Sequence, residues 1–205
     1  MAEMHFYEPA KGHRLKHDPF NAIIAPRPIG WISTQDQAGR LNLAPYSFFN
    51  AFNYWPPILG FSTIGWKDTI ANIEQTGEFV WQLATRELAQ AMNLSSTTTG
   101  PEVDEFALAG LTTASSQMVA VPRVAQARVA MECHLTQILQ LKTASGADLQ
   151  TWAVFGEVVG VHIDQTLVAS GVYDTTEPVP ILRTGGAGGY VEVTGSSKFD
   201  MPRPR

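Results

Sequence analysis

Apolar residues in this chain fall mostly in short alternating runs broken by Gly, Pro, Asn and Asp, the pattern of strands joined by tight turns. Residues 29–34 and 41–49 read as a hairpin around the turn Gln35-Asp36-Gln37-Ala38-Gly39-Arg40. Pro45 inside the second run predicts an edge or a bulge, because proline cannot donate to a ladder. Further strands are expected over residues 57–63 and 79–83. The second half is more strongly β. Residues 127–142 alternate, with Val129, Met131, Cys133 and Leu135 on one face, and residues 151–163 return after a turn at 144–148. Gly156 and Gly160 mark bulges or bends in that returning strand.

Helices are few and short. Asp18-Pro19 opens one that Pro26 and Pro28 end, with Asp as N-cap and Pro at the first helical position. Asp68 is expected to cap a helix over residues 69–76, which Gly77 terminates. Residues 87–94 and 102–108 carry shorter helical patterns on either side of a polar loop at 95–100. Strands do not alternate regularly with long helices, so the pattern argues against a Rossmann domain. The expected architecture is mainly β (α+β), an antiparallel barrel with short satellite helices.

Composition narrows the class. A chain of 205 residues with 44% hydrophobic and 16% charged residues can bury the core of a single domain. A formal net charge of −5 argues against nucleic-acid binding, which needs a basic face, though one local cationic pocket remains compatible with it. Cys133 is the only cysteine, so no intramolecular disulfide or cysteine metal cluster can form. The five histidines (His5, His13, His17, His134, His162) lack metal-site spacing. No apolar run approaches the roughly 20 residues of a membrane-spanning helix, and the first residues lack a signal-peptide core. A cytoplasmic location without membrane partners is the expectation.

Candidate chemistry concentrates between Asn42 and Asn72, where small polar residues sit among aromatics and prolines. The opening turn of the helix after Lys67 offers free backbone N–H groups and the positive end of a dipole, a ready anion site. Lys67 and the Thr69 hydroxyl lie beside it; equally, Asp68 can cap the helix and leave Lys67 in solvent. Ser47 and Asn50 add uncharged hydrogen-bonding groups next to Phe48 and Phe49. Gly185-Gly186-Ala187-Gly188-Gly189 is not a dinucleotide fingerprint, because Tyr190-Val191-Glu192-Val193 continues as extended chain and not as a helix. There is no Gly-x-Ser-x-Gly elbow and no acid–base constellation, which points to chemistry supplied by a cofactor.

Ala25-Pro26-Arg27-Pro28-Ile29-Gly30-Trp31-Ile32-Ser33-Thr34, then Asn42-Leu43-Ala44-Pro45-Tyr46-Ser47-Phe48-Phe49-Asn50, Pro56-Pro57 and Lys67-Asp68-Thr69, together resemble the flavin reductase-like proteins with an FMN-binding split barrel. These include flavin reductases, flavoredoxin-like electron carriers and flavoprotein oxygenases. The resemblance implies a six-stranded split barrel over residues 1–205, with an N-terminal arm at 1–18 and a C-terminal segment at 180–205. It also implies a homodimer with one FMN per subunit. Carried over, Ser33 and Thr34 lie beside the flavin, and Ser47, Phe48, Phe49 and Asn50 form its main cradle. Ser62, Lys67, Asp68 and Thr69 meet the ribityl and phosphate end, and Arg183, Gly186 and Tyr190 close the site. No residue is assigned a catalytic role. The implied activity is an oxidoreductase passing electrons from NADH or NADPH through FMN to oxygen, flavin or a partner protein. The alternatives are a flavoredoxin-like carrier without a nicotinamide site and a non-catalytic flavin-binding module. His162 and Tyr190 do not match the histidine–tyrosine spacing by which short flavin reductases hold nicotinamide.

Overall fold

A computed structural model describes residues 2–100 and 102–204; Met1 and Arg205, the outermost residues of the two terminal segments, and Pro101 lie outside it. The strands are β1 (Gly30–Gln35), β2 (Leu41–Tyr46), β3 (Phe49–Asn53), β4 (Ile58–Ile64), β5 (Glu78–Gln82), β6 (Thr113–Ala114), β7 (Arg123–Val124), β8 (Val129–Lys142), β9 (Asp148–Ile163), β10 (Ile181–Arg183) and β11 (Tyr190–Glu192). The α-helices are α1 (Phe20–Ile23), α2 (Asp68–Thr76), α3 (Ala89–Leu94) and α4 (Glu105–Leu108).

Seven strands form one antiparallel sheet in the order β2-β1-β5-β8-β9-β4-β3. Its two edge strands, β2 and β3, are consecutive in sequence and joined by only Ser47 and Phe48. So short a link forces the two edges of the sheet together, and the sheet curls into a barrel that is split where β2 and β3 do not pair. The expected barrel is therefore present with seven strands instead of six, because the run read as 41–49 breaks after Tyr46 and restarts as β3 on the opposite edge. Pro45 lies in the edge strand β2, opposite Trp31 of β1, as the missing donor required.

The long β8–β9 hairpin supplies the curvature. Its register shifts between Glu132 and Cys133 and again between Leu135 and Gln137, near Gly160 and Gly156. A Cβ at Gly156 would stand 2.4 Å from the Phe79 ring, so glycine there lets Phe79 pack against bare backbone. Val129 and Cys133 lie buried in the barrel core with Ile32, Phe61, Ile70, Phe79 and Val154, and Met131 and Leu135 pack against it, the face the alternation predicted. Burial also pushes the Cys133 thiol up, leaving it inert. A second cluster (Trp31, Leu43, Met92, Phe106, Val124) seats α3 and α4 on the outer face of β1 and β2.

Local capping departs from expectation in two places. Helix α1 starts at Phe20 with Pro19, not Asp18, at the N-cap, and the Asp18 carboxylate accepts from Phe20 N (2.9 Å) one residue further out. Helix α2 starts at Asp68 itself, with Lys67 at the N-cap and no side chain capping it, while Gly77 ends it in the left-handed conformation as expected. The unclaimed first turn is what leaves its N–H groups available. Among the described residues no helix is long and apolar enough to cross a membrane, and no group of His, Cys, Asp or Glu is arranged to hold a metal.

Candidate functional site

The Ser47-Phe48 link separates two hollows. The first is a cleft of about 370 Å³ between β2 (Leu43 to Tyr46), the first turn of α2 (Lys67, Asp68, Thr69) and the hydroxyl-rich loop after α3 (Ser95 to Thr99). That volume lies within the roughly 300–1,000 Å³ typical of small-molecule sites. Lys67 and Asp68 are exposed at its mouth, whereas Thr69 is buried.

A buried hydrogen-bond network braces the cleft from behind. Asn42 Nδ2 donates to Thr34 Oγ1 (3.0 Å) and to Thr69 Oγ1 (2.8 Å), and Asn72 Nδ2 donates to Thr34 Oγ1 (3.1 Å). One hydroxyl from β1 thus locks β2 to the first two turns of α2. Glu105, 7% exposed, does the same for the loop: it accepts from Leu43 N (3.1 Å) and from Thr99 Oγ1 (3.0 Å). Because Thr34, Asn42, Thr69, Asn72 and Glu105 are all buried and partnered, the wall is rigid before any ligand arrives. Burial pushes the Tyr46 phenol up to about 12, against hydrogen bonds with Thr69 and Thr63 that pull it down, so it stays protonated at neutral pH.

The second hollow, about 470 Å³, is aromatic. Phe48, Phe49, Phe52, Phe61 and Phe155 line it with Asn50, Ser62 and Arg27. Gly60 makes room for it, since a Cβ there would stand 2.7 Å from both the Phe52 and Phe155 rings. Tyr46 of the cleft and Phe61 of this hollow touch, with ring centroids 4.7 Å apart.

The sequence-predicted residues divide between these places. Lys67, Asp68 and Thr69 meet in the cleft, whereas Ser62, expected beside them, lines the aromatic hollow with Phe48, Phe49 and Asn50. Ser62 lies within β4 and lines that hollow together with its neighbours Gly60 and Phe61, whereas Lys67, Asp68 and Thr69 follow the end of the strand at the start of α2. Ser47 lies in the link and its carbonyl accepts from Arg27 Nε (3.1 Å). Thr34 supports the cleft from within the network, and Ser33 is fully buried, donating to Pro122 O (2.7 Å). Neither side chain reaches the surface of the cleft.

Arg183, Gly186 and Tyr190 line neither hollow. The Arg183 guanidinium donates to the carbonyls of Gly186 (2.8 Å), Ala187 (3.0 Å) and Gly189 (2.7 Å) and stands 5.1 Å over the Tyr190 ring. The glycine cluster is thus a turn wrapped around a cation, with carbonyls pointing where a phosphate loop would present N–H groups. His162 is engaged elsewhere: its Nε2 bonds the buried Glu132, which also accepts from the backbone of Gln117 (2.8 Å) and Val119 (3.0 Å). Burial raises the Glu132 carboxyl, but His162 and these N–H groups outweigh it and hold the group below the usual carboxylate range.

Sequence reasoning gave no role to the loop hydroxyls, Glu105 or Arg27. Asn42 and Asn72 stood in the recognisable stretch without a partner. Only the fold shows that both reach the same threonine.

The sequence profile of the flavin reductase like domain matches residues 24–180. An uncharacterised protein of Aquifex aeolicus is 35% identical over 185 residues, covering 87% of this chain and 90% of its own. The crystal structure of nitrilotriacetate monooxygenase component B from Bacillus cereus superposes with a TM-score of 0.86 at 28% identity, covering 98% of this chain and 100% of that one. The 2-nitrobenzoate 2-nitroreductase of Pseudomonas fluorescens follows with a TM-score of 0.79 at 26% identity, covering 89% and 88%.

Proposed function

The chain belongs to the flavin reductase-like domain family, and on that premise we propose that it is an FMN-dependent oxidoreductase whose polar cleft grips the cofactor's phosphorylated tail. The observation that carries this reading is the convergence of Lys67, Thr69 and the uncapped first turn of α2 on one braced cleft. The fit is chemical as well as spatial. Backbone N–H groups and a lysine at a helix N-terminus suit a phosphate, and the loop from Ser95 to Thr99 adds hydroxyls suited to a polyol.

When bound, FMN supplies hydride acceptance and electron transfer that no side chain of this protein can provide. The residues do the rest. Lys67 offsets phosphate charge, Thr69 and the α2 backbone orient it, and Asn42, Thr34 and Asn72 hold Thr69 in place. Tyr46, kept neutral, and the Ala44 and Pro45 backbone wall the cleft towards the Ser47-Phe48 rim, where the flavin ring is placed in this reading. Phe49, Asn50 and Ser62, over the rim, then belong to the approach of the reacting partner.

A carrier without its own nicotinamide site is the second reading, favoured by the occupation of His162 with Glu132 and of Tyr190 with Arg183. We also infer a homodimer. A third hollow of about 490 Å³, lined by Trp81, Met131, Val161, Ile163, Tyr173 and Val193 among others, is apolar and open, with Val161 54% exposed at its edge, a surface that a second copy would cover.

The visible spectrum of the purified protein, followed by titration with FMN, tests the cofactor. A chain that stays colourless after FMN is added and the excess removed ends the reading. Anaerobic titration with NADH and NADPH then separates the two forms, since bleaching of the flavin band marks a reductase and its absence a carrier. Sedimentation velocity tests the dimer.

A further inference from the structure

Arg27 occupies an unusual position. It is 8% exposed and lines the aromatic hollow, yet among the described residues it forms no ion pair. Its guanidinium lies 5.5 Å from the centre of the Phe48 ring. Its donors go to main-chain carbonyls: Nε to Ser47, Nη1 to Asn21 and Nη2, at 3.5 Å, to Thr184. A guanidinium has five N–H groups, so two remain uncommitted. Carbonyls orient a cation without neutralising it.

The second guanidinium nearby makes the imbalance worse. Arg183 pairs with Arg27 through backbone hydrogen bonds (Arg27 N to Arg183 O, 2.9 Å) and likewise has no carboxylate partner among the described residues. Burial, and after it the Arg183 charge, lowers the affinity of Arg27 for its proton. A buried cation close to another, without an anion, is costly. The chemistry missing from the hollow is a negative charge; the chemistry present is five phenylalanine rings.

We propose that the hollow lined by Arg27, Phe48, Phe52, Phe61 and Phe155 is a binding site for a small planar aromatic carboxylate, its ring among the phenylalanines and its carboxylate on Arg27. The planar fork of arginine matches a carboxylate in two-point geometry, which a lysine would not. Asn50 and Ser62 provide the remaining polar contacts. That this ligand is a reactant of the cofactor across the Ser47-Phe48 rim rests on the function proposed above; the binding site itself does not.

Calorimetric titration of the full chain, with and without FMN, tests the site using benzoate, its uncharged isostere benzamide, and acetate. Benzoate should bind at least about tenfold more tightly than benzamide, because the difference is one charge-assisted contact, and acetate should show no measurable binding. R27K, which keeps the charge and loses the fork, and F52A, on the exposed edge strand, should each weaken benzoate while leaving the circular dichroism spectrum unchanged. If R27K fails to fold, F52A and the benzoate–benzamide ratio decide. Equal affinity for benzoate and benzamide, or benzoate binding untouched by F52A, overturns the proposal. A chain that takes up benzoate but not FMN upholds this site and ends the flavin reading. One that takes up FMN but not benzoate does the reverse.

Discussion

The polar cleft and the aromatic hollow lie on either side of the same two-residue link, and they are shaped by opposite means. In the cleft, form comes from a filled hydrogen-bond network: Thr34, Asn42, Thr69 and Asn72 satisfy one another, and Glu105 ties β2 to the hydroxyl loop. In the hollow, form comes from an omission, the missing side chain at Gly60 over which Phe52 and Phe155 close edge to face at 5.0 Å. A network fixes atoms to within a hydrogen bond and suits a ligand with many polar groups. A ring-lined space fixes a plane and leaves the chemistry to one charged group, here Arg27.

Substitutions separate the two, and the largest effect belongs to the cleft. Lys67→Ala should weaken FMN by about 1.5–3 kcal/mol if the phosphate contact is charge-assisted, read by fluorescence titration. Unchanged affinity would remove Lys67 from the site. Gly60→Ala should instead strike the hollow, costing about 1–3 kcal/mol of stability in denaturant unfolding, since its Cβ would overlap two rings. Thr34→Val takes the acceptor from Asn72 and one of two acceptors from Asn42; a loss of about 1–3 kcal/mol is expected, with FMN affinity falling alongside.

Alkaline pH probes the contact between them. The folded Tyr46 phenol titrates at about 12, above its ordinary value near 10. Its contribution to stability is therefore complete below pH 10 and is lost as the pH rises from there through 12. Tyr46→Phe should be less sensitive than the native chain to unfolding across that window; identical alkaline transitions would mean that the phenol is not held in the fold. The smallest effect is expected from Asn50→Leu, which should change FMN affinity by no more than about twofold if the cofactor stays in the cleft. A loss matching that of Lys67→Ala would put the flavin ring in the aromatic hollow and sharpen the division differently.

Much of the fold is legible before any coordinates. The alternation at Val129, Met131, Cys133 and Leu135, the glycines that end α2 and bend β9, and the proline in an edge strand all follow from local sterics and hydrogen bonding. The break after Tyr46 is different. Residues 41–49 are locally extended throughout, and only closure of the barrel decides that Phe49 pairs with Phe61 on the far edge of the sheet. The candidate site divides in the same way. Lys67-Asp68-Thr69 could be read as an anion-binding turn because a helix start is a local feature. Glu105 could not, because its partners Leu43 and Thr99 are set by how α4 docks.

The sequence by itself determined most strands of the main sheet, their turns, the helix that follows Lys67 and the family the chain belongs to, since each is written in residues close together along the backbone. The tertiary structure alone decided which polar groups share a wall, that Ser62 and Lys67 line different hollows, and that Arg27 lies buried beside Arg183 with no carboxylate among the described residues to balance it. The reason is the closure of the sheet. When two residues join its opposite edges, neighbours in sequence are placed on different faces and side chains far apart in the chain come to share one hollow.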